Sequence, residues 1–315
     1  MKGRQLSERL VTLIGGGGFL GRYVAQALLK AGARVRIAQR DPRTALFLKP
    51  QGGLGQTQFV AVDVTKPESV GRAVSGSDAV VNLVGLLAGN LERVHVGGAA
   101  AVAQAAQAAG VSALVHVSAI GADPASASFY GRTKSEGEAA VRLGFPNATI
   151  LRPSIVFGRE DAFVNRFAGM IAGAPVVPVL RASVKFQPVY VADVAEAVVA
   201  ALNDAERFGG RTFELGGPDV LTMGSLIRWI AAAIGRDPAI VELPDMAGNA
   251  IAALGFLPGM PITKDQWRML QHDNVVTGED GLAALGVTAT PLDSVAPGWL
   301  VRYRRHGRFG TKAAA

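Results

Sequence analysis

The chain contains no cysteine among its 315 residues. That excludes disulfides and thiolate metal sites, and it fits a reducing compartment. Its four histidines, His95, His116, His272 and His306, are scattered without metal-ligand spacing, so no metal site is expected. No apolar run is long enough to suggest a membrane span. The longest, Ala247 to Pro261, is broken by glycines and prolines and falls short of the ~20 residues a span requires. The first ten residues, MKGRQLSERL, carry charge but no apolar core of a signal peptide, so the chain is expected to stay on the side where it is made. What the sequence does have is a large apolar fraction, 49%, against 18% charged residues, which suits a sizeable core and excludes disorder. Lysine and arginine, 32, exceed aspartate and glutamate, 25, giving a net charge of +7. Such a balance is either a generic basic surface or an attraction for anionic partners. No nucleic-acid motif accompanies it, so nucleic acid is not expected.

The most informative stretch is LVTLIGGGGFLGRYV, residues 10 to 24. Leu10 to Ile14 reads as a short buried strand, and a helix resumes from Phe19 to Lys30. Between them Gly15, Gly18 and Gly21 form G-x-x-G-x-x-G. One glycine permits the tight turn, one lets backbone approach a pyrophosphate, and one lets the helix pack close to the strand. The first helical N–H groups, of Phe19, Leu20, Gly21 and Arg22, then face the phosphates. Strand, glycines and helix in this order predict a dinucleotide site; a merely flexible glycine-rich loop is the plainer alternative.

The end of the second strand, Ala33 to Gln39, lacks the carboxylate that would bind the free ribose hydroxyls of NAD. Gln39 and Arg40 stand there instead, with Arg43 close behind and Arg22 able to help. A guanidinium suits a 2′-phosphate, which favours NADPH or NADP over NAD(H), unless Arg40 is only a solvated loop residue. Strands are predicted at Phe59–Val62, Asp78–Val84, Ala113–Val117 and Ala148–Arg152, alternating with helices at Pro67–Val74, where Thr65 could cap, and Gly97–Ala109. This alternation predicts an α/β fold with a doubly wound parallel sheet. Asp63 and Val64, after the third strand, are placed for the adenine edge. Asn82, within the fourth, and Gly85, at its end, lie where backbone passes under the cofactor. Pro153, after the sixth, lies with Arg152 and Ser154 near the nicotinamide end.

Ser118 follows the fifth strand, and Tyr130 and Lys134 stand one helical turn apart in YGRTK. Serine, tyrosine and lysine so arranged form a proton-transfer set. The lysine lowers the tyrosine pKa and holds a ribose, and the serine orients a carbonyl. An exposed helix pair is the plainer alternative for Y-x-x-x-K alone.

The glycine motif, Asp63, Asn82, Ser118 and Tyr130-x-x-x-Lys134 together resemble the extended or atypical short-chain dehydrogenase/reductase superfamily, which implies a Rossmann-type domain and a smaller C-terminal α/β lobe. A narrower resemblance runs through HVGGAAAVAQAAQAAGVSALVHVSAIGADP, YGRTKSEGEAAV, FPNATILRPSIVFGREDAFVNRFA and FQPVYVADVAEAV, then FELGGPDVLTMGSLIRWI and ITKDQWRMLQHDNVV. It is to the nucleotide-binding accessory subunits of respiratory complex I, NADH:ubiquinone oxidoreductase. That resemblance implies a structural NADPH without known turnover and docking beside other complex I subunits near the quinone-binding region. The chain looks like a bacterial member, which implies a peripheral place on the cytoplasmic side of the inner membrane. In the superfamily the helix after Asp193, near 191–203, returns to brace the nucleotide domain. The expected division is therefore 1–152 for NADP(H) binding, with that helix, and 153–315 for the smaller lobe. One departure concerns catalysis. Tyr130 follows Ser118 by only 12 positions (130 − 118), and the stretch between them, which in active members is longer and helps form the substrate pocket, is shortened.

Two C-terminal segments stay open in sequence. Ala247 to Leu257 reads as an amphipathic helix facing a membrane or partner, or as a core helix of the small lobe. The tail VRYRRHGRFGTKAAA is expected to be extended, either solvated or in contact with anionic headgroups or a neighbouring subunit. Three functions are compatible with the whole: a non-catalytic accessory subunit, a free NADP-dependent reductase, epimerase or dehydratase using Ser118, Tyr130 and Lys134, and a cofactor-sensing module. The extent of the resemblance favours the first.

Overall fold

A computed structural model describes residues 6–255, 257 and 262–307. Two units are distinguished. The first comprises Met1–Pro153, Val191–Leu215 and Thr277–Thr288, and the second Ser154–Tyr190, Gly216–Val276 and Ala289–Ala315. Segments 191–215 and 277–288, C-terminal to the expected boundary at 152, thus belong with the first unit.

Seven strands form the sheet of the first unit: β1 (Leu10–Ile14), β2 (Arg34–Gln39), β3 (Thr57–Ala61), β4 (Ala79–Asn82), β5 (Ala113–Val117), β6 (Thr149–Pro153) and β7 (Thr212–Leu215). Their order across the sheet is β7-β6-β5-β4-β1-β2-β3, and every pairing is parallel. The expected doubly wound parallel sheet is therefore present. Its central strands read as unbroken apolar runs because helices cover both faces. In β1, Val11, Leu13 and Ile14 are fully buried, and the one polar residue, Thr12, meets the Ser77 hydroxyl at 2.6 Å.

The helices covering the sheet are α1 (Phe19–Lys30), α2 (Pro67–Val74), α3 (Ala99–Ala108), α4 (Phe129–Gly144) and α5 (Val191–Asn203). α1 buries Gly21, Val24, Ala25, Leu28 and Leu29, the three-and-four spacing of one helical face, and packs along α5. Thr65 does not cap α2 as expected; its amide and hydroxyl bind the Asp63 carboxylate instead, at 3.0 and 2.8 Å. The helix expected over Gly97–Ala109 begins inside a π-turn, Arg93–Gly98, which leads into α3. Small residues let α3 lie close to α4. A Cβ added at Gly144 would come within 2.9 Å of the Ala103 side chain.

The second unit has its own core, in which Phe157, Val164, Ile171, Leu226, Ile230 and Leu300 are nearly or fully buried. Strands Val176–Leu180 and Ala239–Leu243 pair in parallel there. The 247–257 question resolves into parts. Helix Asp245–Ala253 turns Gly248 and Ala252 inward, where Ala252 packs with Ile262 and Trp267, while Met246, Leu254 and Leu257 are exposed. Residues 256 and 258–261 lie outside the described residues. The tail is not extended where it is described. Arg302 donates to the Asn165 side-chain oxygen at 2.6 Å and Arg304 to the Ala233 carbonyl at 3.0 Å. The part of the basic tail from Arg308 onward lies outside the described residues. No described helix is long and apolar enough to cross a membrane.

Candidate functional site

Because all seven strands run the same way, the residues that follow them gather along one edge of the sheet. Gly15, Arg40, Asp63, Gly85 and Ser118 each follow a strand there, and Pro153 ends one. The strand order reverses between β1 and β4, and ligands of open α/β sheets bind outside the strand ends at such a switch point.

The glycine turn divides its labour unevenly. Gly15 has φ +86, a left-handed conformation that side chains disfavour, and its N–H binds the Ala38 carbonyl at 2.7 Å. A Cβ at Gly21 would lie 2.6 Å from the Gly15 carbonyl oxygen and 2.5 Å from that of Gly16, so helix and turn touch there. At Gly18, the residue before α1, a Cβ would meet only the Gly15 oxygen, at 3.3 Å. The protein's own packing demands glycine at 21 and leaves space at 18. Phe19, Leu20 and Arg22 form the first turn of α1 with Gly21, and the Arg22 guanidinium lies over the Phe47 ring at 4.8 Å.

Arg40 is exposed past β2, and no described residue pairs with its guanidinium. Arg43 is already engaged, bound through two nitrogens to Asp41 at 2.9 and 3.0 Å. That contact holds the Asp41 carboxyl below its ordinary value. Asp63 is likewise held low by its bonds to Thr65, both made to one oxygen, which leaves the other without a described partner. Val64 is buried beside Gly98. The Asn82 amide closes the turn after β4, accepting from the Val84 N–H at 3.2 Å and meeting His116 Nδ1 at 3.1 Å. Burial pushes the pKa of His116 well down, so the ring is neutral and Nδ1 accepts from Asn82. The Pro153 carbonyl accepts from the Ile120 N–H at 3.1 Å.

Ser118, Tyr130 and Lys134 gather around the end of β5 and the start of α4. Lys134 is buried, and its ammonium donates to the Val117 carbonyl at 2.9 Å, beside Gly85. Burial pushes its pKa down to about 8. The Ser118 hydroxyl is buried without a partner among the described residues. Burial pushes the Tyr130 phenol up to about 12. This corrects the expectation that Lys134 lowers it. Desolvation outweighs the cation, whose ammonium is spent on a backbone carbonyl.

Sequence reasoning missed His95, which the π-turn carries into this cluster. Its ring stands edge-on to the Tyr130 ring, centroids 5.4 Å apart. Nε2 accepts from the Leu86 N–H at 3.0 Å, and Nδ1 lies 3.0 Å from the Thr133 hydroxyl. The first bond assigns the proton to Nδ1, which donates to Thr133. Thr133 in turn donates to the Tyr130 carbonyl at 3.1 Å. Burial pushes His95 down to about 4, aided by the charge of Lys134. In sequence His95 is one of four scattered histidines, two residues ahead of the helix expected from Gly97, with no signal for the π-turn that carries it. Below Lys134, buried Glu138 holds Arg152 in a two-pronged ion pair at 2.7 and 2.8 Å.

The shortened stretch between Ser118 and Tyr130 folds on itself. The Asp123 carboxylate accepts from the Ala125 N–H at 2.7 Å, the Ser128 hydroxyl caps α4 through the Gly131 N–H at 2.9 Å, and Arg132 donates to the Ser126 carbonyl at 2.8 Å.

Residues 11–216 match the model of the NAD dependent epimerase/dehydratase family. The chain is 37% identical to mitochondrial NADH dehydrogenase (ubiquinone) 1 alpha subcomplex subunit 9 of Mus musculus, over 96% of this chain and 82% of that one. It is 31% identical to the ceramide reductase of Caulobacter vibrioides (strain NA1000 / CB15N), over 80% of each. Among solved structures, the Citrobacter sp. triphenylmethane reductase complexed with NADP(H) superposes with a TM-score of 0.76 at 20% identity, covering 92% of this chain and 99% of that one.

Proposed function

The chain belongs to the NAD dependent epimerase/dehydratase family and, within it, with subunit 9 of the NADH dehydrogenase (ubiquinone) 1 alpha subcomplex; from that membership we propose an accessory subunit of respiratory complex I that holds NADPH structurally and does not turn it over. The observation that carries this reading is the reach of the likeness, 96% of the chain, well beyond the nucleotide-binding part. Fold alone would not decide function.

The residues fit the group. Gly15 and Gly18 leave room for a pyrophosphate, and the N–H groups of Phe19, Leu20, Gly21 and Arg22 face it. Arg40 takes the 2′-phosphate. Asp63, with one carboxylate oxygen to spare, and Val64 border the adenine. Asn82 and Gly85 form the floor, Ser118, Tyr130 and Lys134 hold the ribose and nicotinamide side, and Pro153 closes it. NADPH, when bound, supplies a hydride donor. Against its use stands a substrate stretch closed on its own hydrogen bonds.

The subunit sits peripherally on the cytoplasmic side of a bacterial inner membrane, near the quinone-binding region, and stabilises the junction of the peripheral and membrane arms. Its basic C-terminal tail reaches anionic headgroups. Purification from native membranes in mild detergent tests this. Complex I subunits should accompany the protein through a salt wash, and mass analysis should recover NADPH or NADP. A free soluble oligomer carrying NAD would sink the reading.

A second reading, a free NADP-dependent reductase, is favoured by the unpartnered Ser118 hydroxyl, which is poised for a substrate carbonyl. NADPH oxidation by the purified protein, abolished by Tyr130→Phe, would put it in front.

A further inference from the structure

The second unit contains a cavity of about 180 Å³ lined by Arg159, Gly298, Trp299, Val301 and Arg302. Its chemistry is one-signed. No carboxylate pairs with either arginine among the described residues. The nearby Asp161 carboxylate is consumed by the amides of Gly158, Val164 and Asn165, at 3.2, 2.6 and 3.4 Å. Arg302 commits one terminal nitrogen to the Asn165 oxygen, at 2.6 Å, and the Tyr303 hydroxyl, at 3.1 Å. That fixes its position and leaves its other N–H groups without described acceptors. Arg159 makes no side-chain bond to a described residue. Trp299 lines the same cavity, with its indole Nε1 itself turned away from accessible surface.

We propose that this cavity binds a phosphate group, held between the guanidinium groups of Arg159 and Arg302, with Trp299 in its wall. Two guanidinium forks converging on one group match the several oxygens of a tetrahedral anion better than the two of a planar carboxylate. The site goes beyond the nucleotide reading, since it draws on no residue of the glycine turn. A free phosphate and a phospholipid headgroup present the same chemistry.

Gly298 provides the test. A Cβ there would meet nothing within 4 Å, so a side chain enters open space without straining the fold. The full-length protein, with its nucleotide content monitored, is titrated with inorganic phosphate while the Trp299 indole N–H resonance is followed, assigned by its loss in Trp299→Phe. Flotation with phosphatidylglycerol and with phosphatidylcholine vesicles is measured alongside. A saturable shift of that resonance is expected, weakened about tenfold or more in Arg159→Gln and absent in Gly298→Leu, with nucleotide content unchanged. A shift with phosphate alone assigns a soluble phosphate. Flotation that requires Arg159 and an open Gly298 assigns a headgroup. A Trp299 resonance indifferent to both probes, or a response surviving unchanged in Arg159→Gln or Gly298→Leu, overturns the proposal.

Discussion

At the glycine turn, Gly15 to Gly21, side chains are withheld so that backbone can face a ligand. At the junction of β5 and α4 the reverse holds, because side chains crowd in and satisfy one another. Lys134 is bound to the Val117 carbonyl, His95 is locked between Leu86 and Thr133, and Arg132 ties down the short connection. Both regions stand at the same edge of the sheet. Among the described residues the first has groups to spare, the Arg40 guanidinium and one carboxylate oxygen of Asp63, and the second keeps the Ser118 hydroxyl. A site built this way is better suited to holding a nucleotide than to cycling protons through it.

The largest effect should separate the glycines. Gly21→Val drives a branched side chain into two carbonyl oxygens of the turn, and backbone cannot yield as a side chain can. A loss of about 3 kcal/mol or more in denaturant unfolding is expected, at the upper end of overpacking costs. Gly18→Ala meets only one oxygen, at 3.3 Å. Its unfolding midpoint should stay close to that of the parent while bound nucleotide falls. Equal destabilisation by the two variants would dissolve the division of labour within the turn.

Arg40→Asp should come next. It exchanges an unpaired guanidinium for the carboxylate that favours free ribose hydroxyls. A charge-assisted hydrogen bond contributes ~1.5–3 kcal/mol, so NADPH affinity should fall about tenfold or more while NADH gains relative to it. Competitive binding of the two nucleotides measures this. Unchanged selectivity would make Arg40 a solvated loop residue and remove the open end of the comparison.

A smaller, pH-dependent effect sharpens the closed end. His95 has a folded pKa of about 4 against 6.5 unfolded, so the unfolded chain takes up the proton first as pH falls. The stability contributed by the neutral ring is present above pH 6.5 and is lost between there and about 4. His116, also lowered, adds a slope of the same sign. His95→Gln should flatten the stability profile in that window by less than one proton. In the parent, acid should lower the protection of the Leu86 amide, which donates to His95, relative to its intrinsic exchange rate. A profile unchanged by His95→Gln would show that the histidine does not fasten this region.

The open region was legible in sequence and the closed one only in part, for a physical reason. Glycines before a helix, an apolar strand and a missing carboxylate are local facts, and Leu10–Ile14, Ala113–Val117, Phe19–Lys30 and Pro67–Val74 were readable to the residue. Ser118, Tyr130 and Lys134 were readable as types at a spacing. Their electrostatics were not, because desolvation depends on what covers them, and the covering residue His95 arrives on a π-turn that begins ahead of the helix read from Gly97. Thr65 read as a cap because it precedes Pro67, yet the Asp63 carboxylate two residues back competes for it. In the second unit, residues 239–270 alternate too briefly for either period to stand out. The helix there turns inward mainly on Gly248 and Ala252, small residues that carry little hydrophobic signal.

The smallest expected effect is the one that decides between holding and turnover. Tyr130→Phe removes only the phenolic oxygen. Its ring remains to meet the His95 edge, and the Thr133 bond is to its backbone carbonyl and survives. If the phenol is a packing and ribose contact, nucleotide retention should drop by a few-fold at most, in line with one neutral hydrogen bond of ~0.5–1.5 kcal/mol. Complex assembly should then be untouched. A phenol held near 12 is almost wholly protonated at neutral pH. In NADPH oxidation it would be the acid that protonates the reduced carbonyl, so a rate dependent on it should not need alkali, whereas the reverse, NADP-reducing direction needs the phenolate and would rise with pH. Measuring NADPH oxidation against pH for both proteins therefore gives two distinct pictures. No rate above background in either, with nucleotide retained, leaves the closed region as a binding wall. A rate at neutral pH in the parent that vanishes in Tyr130→Phe, at unchanged nucleotide content, would mean that Ser118, Tyr130 and Lys134 still perform chemistry and that the closed region opens to admit a substrate.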